Sequence, residues 1–490
     1  MKRRQNSLLI PILFFCSLAA LPACSLPSAP SSTPAISIPT AHLEPTASPS
    51  SMPPPSPASD ESTPAPPRRS QYRLEVDLDY PARQLHVKQS LQYINQTGLP
   101  LPDLLMVVDA ARYPGAFQLE SLSWDQNAPI LAHRLDGRLL RFEFTHPLMP
   151  GEVIQLEFTF TLDLPAQASP FGYTARQLNL ADWYPIVPPF VESEGWLAPP
   201  PHLFGEHQVY DLADYDVLIR SPEPGLVLAA PGDVKPSSDG LRYHLETARH
   251  FVWSASLEYL TLEKILGERT LQAFIFPEHR LAGESAVETM AQALPLFEEL
   301  YGPYPRQSLV MIEADFYDGY EADGAFFLDQ VYFLDPFRAP ENLLTTLVAH
   351  ETAHQWFYAS IGSDQANQPW LDEALCTYSE LIFYENVYPD SAGWWWEFRV
   401  QRLNPAGLVD APIYDFEDIQ LYINAVYLRG ASFLHDLRAL IGDQAFFSLL
   451  NAYAERGRYS YVTTGDFFSL LDEHTTLDYS YLLDLYFSPE

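Results

Sequence analysis

Two histidines one helical turn apart, with an acid beside the first, are the residues of this chain best placed to do chemistry. They are His350-Glu351-Thr352-Ala353-His354, a match to the zinc-binding pattern H-E-x-x-H. Another acid, Glu373, follows with eighteen residues between it and His354. A catalytic zinc ion takes three nitrogen or oxygen ligands and keeps a fourth position for water. His350, His354 and Glu373 supply that set for one Zn2+ per chain. Histidines four apart lie on the same helical face, so both rings can address one ion. Glu351 is carried round towards the open side, where it can take a proton from the water at the fourth position. The chemistry available is metal-assisted hydrolysis. A surface patch or a pair of core histidines would share the five letters; a carboxylate correctly placed on a following helix separates the catalytic reading from them.

Two elements must position these groups. The spacing of Leu343, Leu344, Leu347 and Val348, with a stop at Gly362, predicts a helix over 341–361. A second helix is predicted over 370–388, packed on the first so that it delivers Glu373. Cys376 on that helix reads as a small buried residue rather than a ligand.

Several blocks around this core resemble the gluzincin aminopeptidases, the family of alanyl aminopeptidase and leukotriene hydrolase. Trp370-Leu371-Asp372-Glu373-Ala374-Leu375-Cys376-Thr377-Tyr378-Ser379-Glu380 is similar to W-L-N-E-G-(F/H)-x-x-Y-x-E, with Asp372 for Asn and Ala374 for Gly. Glu380, two helical turns after Glu373, is then expected to hold a ligand histidine from behind. Tyr427-Leu428-Arg429-Gly430-Ala431 resembles Y-x-K-G-A, which implies that Tyr427 stabilises the oxyanion of the tetrahedral intermediate. Asp318-Gly319-Tyr320-Glu321-Ala322-Asp323 resembles G-x-M-E-N, with Tyr320 for Met and Ala322 for Asn. The match implies that Glu321 anchors a substrate's free α-amino group, helped by Asp323. By the same resemblance Tyr422 lines the cleft, and Gln177 is the candidate second contact to the amine from the N-terminal half.

Composition sets outer bounds. The net charge is −35 over 490 residues. Phosphate binding needs clustered positive charge, so nucleic acid is excluded as a partner. Lys2, Arg3 and Arg4 precede an apolar run, 8–21, that reads as a signal peptide over 1–23. Leu21-Pro22-Ala23-Cys24 resembles a bacterial lipobox, with Cys24 as the lipidated residue and Pro22 unusual there. Lipidation implies membrane anchoring at a cell surface or in a periplasm, and ordinary cleavage near Ala23 is the alternative. Residues 24–71 read as a Pro/Ser/Thr-rich linker.

Residues 72–259 alternate apolar and polar residues in short runs (72–78, 140–144, 154–160, 214–219), predicting an antiparallel β domain. The resemblance makes it saddle-like, with Trp183-Tyr184-Pro185 part of it. Residues 260–490 read as a mostly helical, thermolysin-like zinc peptidase domain, with strands at 271–276 and 308–313. Helices are expected at 285–301, 430–441, 444–455 and 464–473. The fold class is α+β, and the chain ends where that domain is expected to end, leaving an open cleft. The activity implied is a zinc aminopeptidase acting on peptides or proteins. A zinc endopeptidase with an open cleft, or a non-catalytic surface binding protein of the same fold, are the alternatives.

Overall fold

The computed structural model describes residues 69–317, 319–334 and 338–489. The stretch expected to be a signal peptide, Cys24 and all but the end of the expected linker lie outside them. Residues 66–490 form one compact unit.

The N-terminal half is β apart from one short 3-10 turn, Asp109–Arg112. In Ser70–Asp79, Tyr72, Leu74, Val76 and Leu78 are buried while Gln71, Arg73 and Asp77 face water, the period of two that a half-buried strand requires. A seven-stranded sheet runs in the order Asp233–Pro236, Leu241–Ala248, Ala213–Arg220, Ser70–Asp79, Gln84–Ile94, Val153–Asp163, Phe117–Trp124. The expected antiparallel sheet contains one parallel pair, Ser70–Asp79 with Ala213–Arg220. Parallel neighbours cannot be joined by a tight turn, and the intervening chain builds a three-stranded sheet and two strands of a four-stranded one. The Trp183-Tyr184 block is core: Trp183 donates to the Phe251 carbonyl at 3.0 Å, and the Tyr184 hydroxyl accepts from the Phe251 amide at 3.0 Å.

At 260 the chain enters a five-stranded sheet. Its order is Leu260–Leu266, Arg269–Ile275, Ser308–Ala314, Ala325–Asp329, Gly319–Ala322. The edge strand Gly319–Ala322 is antiparallel to its neighbour and carries Glu321. Helix Arg280–Tyr301 starts five residues before the expected 285. It buries Met290, Leu294 and Phe297 in the same core as Val348 and Leu375, each such side chain contributing roughly 1.5–3 kcal/mol.

The helix expected over 341–361 is shorter, Leu343–Ala353. Beyond it the amides of Ala359 and Ile361 bond back to His354 and Trp356, each at 2.9 Å. The break has a packing cause. Trp356 packs on Phe297, Tyr301 and Tyr304, whereas Tyr358 turns the other way to meet His250 of the β half. The His354 amide still bonds the His350 carbonyl at 3.2 Å, so the two histidines keep their helical stacking. The second helix, Trp370–Val387, ends within one residue of expectation. Gly430 lets helix Arg429–Ile441 close on it, because a β-carbon there would meet the Ala374 β-carbon at 2.4 Å. Helices Asp443–Gly457, Thr464–His474 and Ser480–Tyr486 follow, the second with a capping box at Thr463 and Asp466. Cys376 is a buried free thiol. No described helix is long and apolar enough to cross a membrane.

Candidate metal centre and active site

His350, His354 and Glu373 converge: their ligand atoms lie within 4.8 Å of one another. His350 Nε2 and His354 Nε2 are 3.2 and 3.6 Å from Glu373 Oε2. Ligands held about 2.0–2.1 Å from zinc in a tetrahedron are about 3.3 Å apart, so the donor set fits this metal. The other ring nitrogens fix the tautomers. His350 Nδ1–H donates to Glu380 at 2.9 Å and His354 Nδ1–H to Asp372 at 2.6 Å, which turns both Nε2 lone pairs inward. The cluster is short of positive charge. Burial disfavours a proton on His350, yet Glu373 and Glu380 overcome it and lift the ring's pKa to about 10.

Each supporting carboxylate is itself held. Glu380 receives Arg399 on both oxygens, at 2.9 and 3.0 Å, and the Trp395 indole at 2.9 Å. Asp372 accepts from Gln365 Nε2 at 2.7 Å, and the same amide nitrogen touches Glu321. Asp372, the departure from the family's Asn, thus gives the second histidine a carboxylate like that of the first. Gln365 ties the metal shell to the edge strand. Trp395, Arg399 and Gln365 were not singled out in the sequence. Arg399 lies in a π-helical stretch, Trp396–Val400, whose wider turn breaks the 3.6-residue period that sequence reading relies on.

The cluster opens on a cavity of about 450 Å³. Tyr427 sits in a second π-helical stretch, Ile423–Leu428. Its ring is stacked on His350, 5.9 Å between centroids and 6° between planes, and its hydroxyl bonds Glu373. Tyr422 meets Tyr427 edge-on at 5.4 Å, is buried, and lines the cavity with it. Glu321 lines the cavity, and burial pushes its carboxyl up to about 7 against the pull of His354. Glu351 lines it too, one face against Gly319, where a β-carbon would lie 2.2 Å from Oε1.

Two expectations are corrected. Gln177 does not line the cavity. It is buried in the four-stranded sheet, donating to Asn179 at 2.7 Å and Tyr259 at 3.0 Å and accepting from the Asp315 amide at 2.8 Å. It directly precedes the fully buried strand Leu178–Leu180, which carries it into the domain. Asp323 is buried as well, engaged by Arg306 and by the Arg249 amide, both at 2.8 Å, so it does not assist Glu321. The β half faces the cavity with Asp182 instead.

Residues 285–486 match the peptidase family M1 domain. Aminopeptidase M1-A of Oryza sativa subsp. japonica is 27% identical over 209 residues, 39% of this chain and 24% of that protein. Aminopeptidase N of Lactobacillus helveticus is 28% identical over 214 residues, 39% of this chain and 25% of that protein. The matched stretch therefore spans about a quarter of these curated relatives. In fold, an M1 zinc metallopeptidase from Deinococcus radiodurans superposes with a TM-score of 0.59 at 18% identity, covering 86% of this chain and 94% of that one.

Proposed function

From a chain whose residues 285–486 form a peptidase family M1 domain, we propose a zinc-dependent aminopeptidase that removes the N-terminal residue of peptides. The observation that carries the reading is the ligand triad beside Glu321 in a single cavity. Zinc held by His350, His354 and Glu373 would supply Lewis acidity and a water of lowered pKa. Glu351, beside that triad, accepts the proton of the attacking water and returns it to the leaving amine. Tyr427, stacked over His350, presents a phenol that can turn from Glu373 to donate to the developing oxyanion. Glu380 with Arg399, and Asp372 with Gln365, keep the two imidazoles from rotating. Glu321, buried and hydrogen-bonded by Gln365, is the acceptor for an ammonium, and an anchored amine permits only one residue to reach the scissile position.

A peptide set offered with free and with N-acetylated termini separates this from internal cleavage. Free-amine peptides should be cut at least about tenfold faster in kcat/KM, the loss expected when a buried carboxylate faces an uncharged group. Faster cutting of the acetylated set would replace the reading with an endopeptidase. Gly319→Ala checks the base independently. The added methyl meets the Glu351 carboxylate, and a displacement near 1 Å lowers kcat by roughly 10²-fold, with zinc content and melting temperature close to wild type.

The leader supports an exported, lipid-anchored bacterial protein. Lys2 to Arg4, the apolar run and Cys24 carry that proposal, with mass spectrometry of the mature N-terminus as its test.

A further inference from the structure

Several buried carboxylates in this protein come with cations. Asp109 has Arg112 at 2.8 Å, Asp323 has Arg306 at 2.8 Å, and Glu380 has Arg399 at 2.9 Å. Two carboxylates that line the cavity, buried Glu321 and half-buried Asp182, are placed differently. Glu321 is held by the neutral Gln365. Asp182 is held by the hydroxyls of Tyr210 and Tyr320, the latter at 3.5 Å. Among the described residues neither has a Lys, Arg or His nitrogen within 4.0 Å. The cations that act on Asp182 from farther away, His207 and Arg112, are engaged by Asp109. Burial and the Asp109 charge push Asp182 up to about 6. An ion left unpaired in such a place is unfavourable until a positive partner arrives.

One substrate ammonium satisfies one of the two. Tyr320 links them: it is next to Glu321 on the edge strand, and its hydroxyl reaches Asp182. Asp182 therefore stands a tyrosine side chain away from the strand that carries Glu321. An extended lysine or arginine side chain covers a similar reach from its own α-carbon. We propose that Asp182 is a specificity residue that receives the cationic side chain of an N-terminal lysine or arginine, while Glu321 takes the α-ammonium. This rests on the aminopeptidase reading and names the substrate class it favours: peptides that begin with a basic residue.

The test compares arginyl, citrullyl, lysyl and norleucyl dipeptides, pairs of similar shape that differ in side-chain charge. Wild-type kcat/KM should favour arginine over citrulline and lysine over norleucine by about tenfold or more. Asp182→Asn should collapse both ratios towards one. The variant is chosen to fold. Asp182 has a left-handed backbone, φ 51°, which Asn also tolerates, and the Asn carbonyl still accepts from Tyr210. Equal ratios in wild type, or ratios unchanged in Asp182→Asn, overturn the proposal. So does a loss in the variant that is equal for charged and neutral side chains, which would make Asp182 an α-amine contact or a structural group. Calorimetric binding of arginine amide and citrulline amide to the zinc-loaded protein is read in parallel. Charge-selective binding without hydrolysis of any peptide keeps this proposal and removes the aminopeptidase reading. Hydrolysis without charge selectivity does the reverse.

Discussion

Glu351→Gln should keep one zinc per chain and lose about 10²- to 10⁴-fold in kcat, the usual share of a positioned general base. The amide matches the carboxylate in shape, so Gly319 and the cavity wall are undisturbed, but it cannot accept the proton of the attacking water. His350, His354 and Glu373 do not depend on it. Metal analysis and peptide hydrolysis on one preparation decide the matter: full zinc with wild-type turnover would remove Glu351 from the chemistry.

His354→Ala should have the opposite signature, with the metal lost first. The change deletes one of three ligands. It also strips Asp372 of its 2.6 Å partner, leaving that buried carboxylate to Gln365 alone. Supporting partners alone are worth about 10- to 100-fold in metal affinity, so removing a ligand should weaken zinc binding by more than about 100-fold. The uncompensated acid should lower stability by about 1–3 kcal/mol, visible as a lower melting temperature even in excess zinc. A variant that retains stoichiometric zinc after dialysis would refute the ligand assignment. Chelation of the wild type should abolish activity, and added zinc should restore it.

How far the sequence reached follows from how local each signal is. The triad was legible because four-residue spacing on a helix is a local rule, and because Glu373 lies in the first turn of the next long helix, Trp370–Val387. Glu380 followed from the same helix by counting turns. Helix Leu343–Ala353 was overextended because Trp356, Phe357 and Tyr358 read as one apolar run, while in three dimensions they pack in two different cores. Arg399 and Trp395 were invisible: Arg399 lies in a π-helical turn, which carries no sequence period, and their partner Glu380 is 19 and 15 residues away in the chain. Gln177 was misplaced because the resemblance points to it only by its position ahead of Trp183-Tyr184-Pro185, and proximity in the chain does not say which side chain meets the cavity. Asp182 escaped notice because its significance lies in a missing partner, which only the fold reveals.

The single amide of Gln365 touches both Asp372 and Glu321, and this joins two equilibria. Whatever occupies one end changes the charge that the bridging nitrogen sees at the other. Thermodynamic reciprocity then requires that a bound ammonium alter the protein's hold on its cation by the same factor by which the cation alters its hold on the ammonium. Metal retention would thereby depend on how fully a cation occupies the Glu321 end.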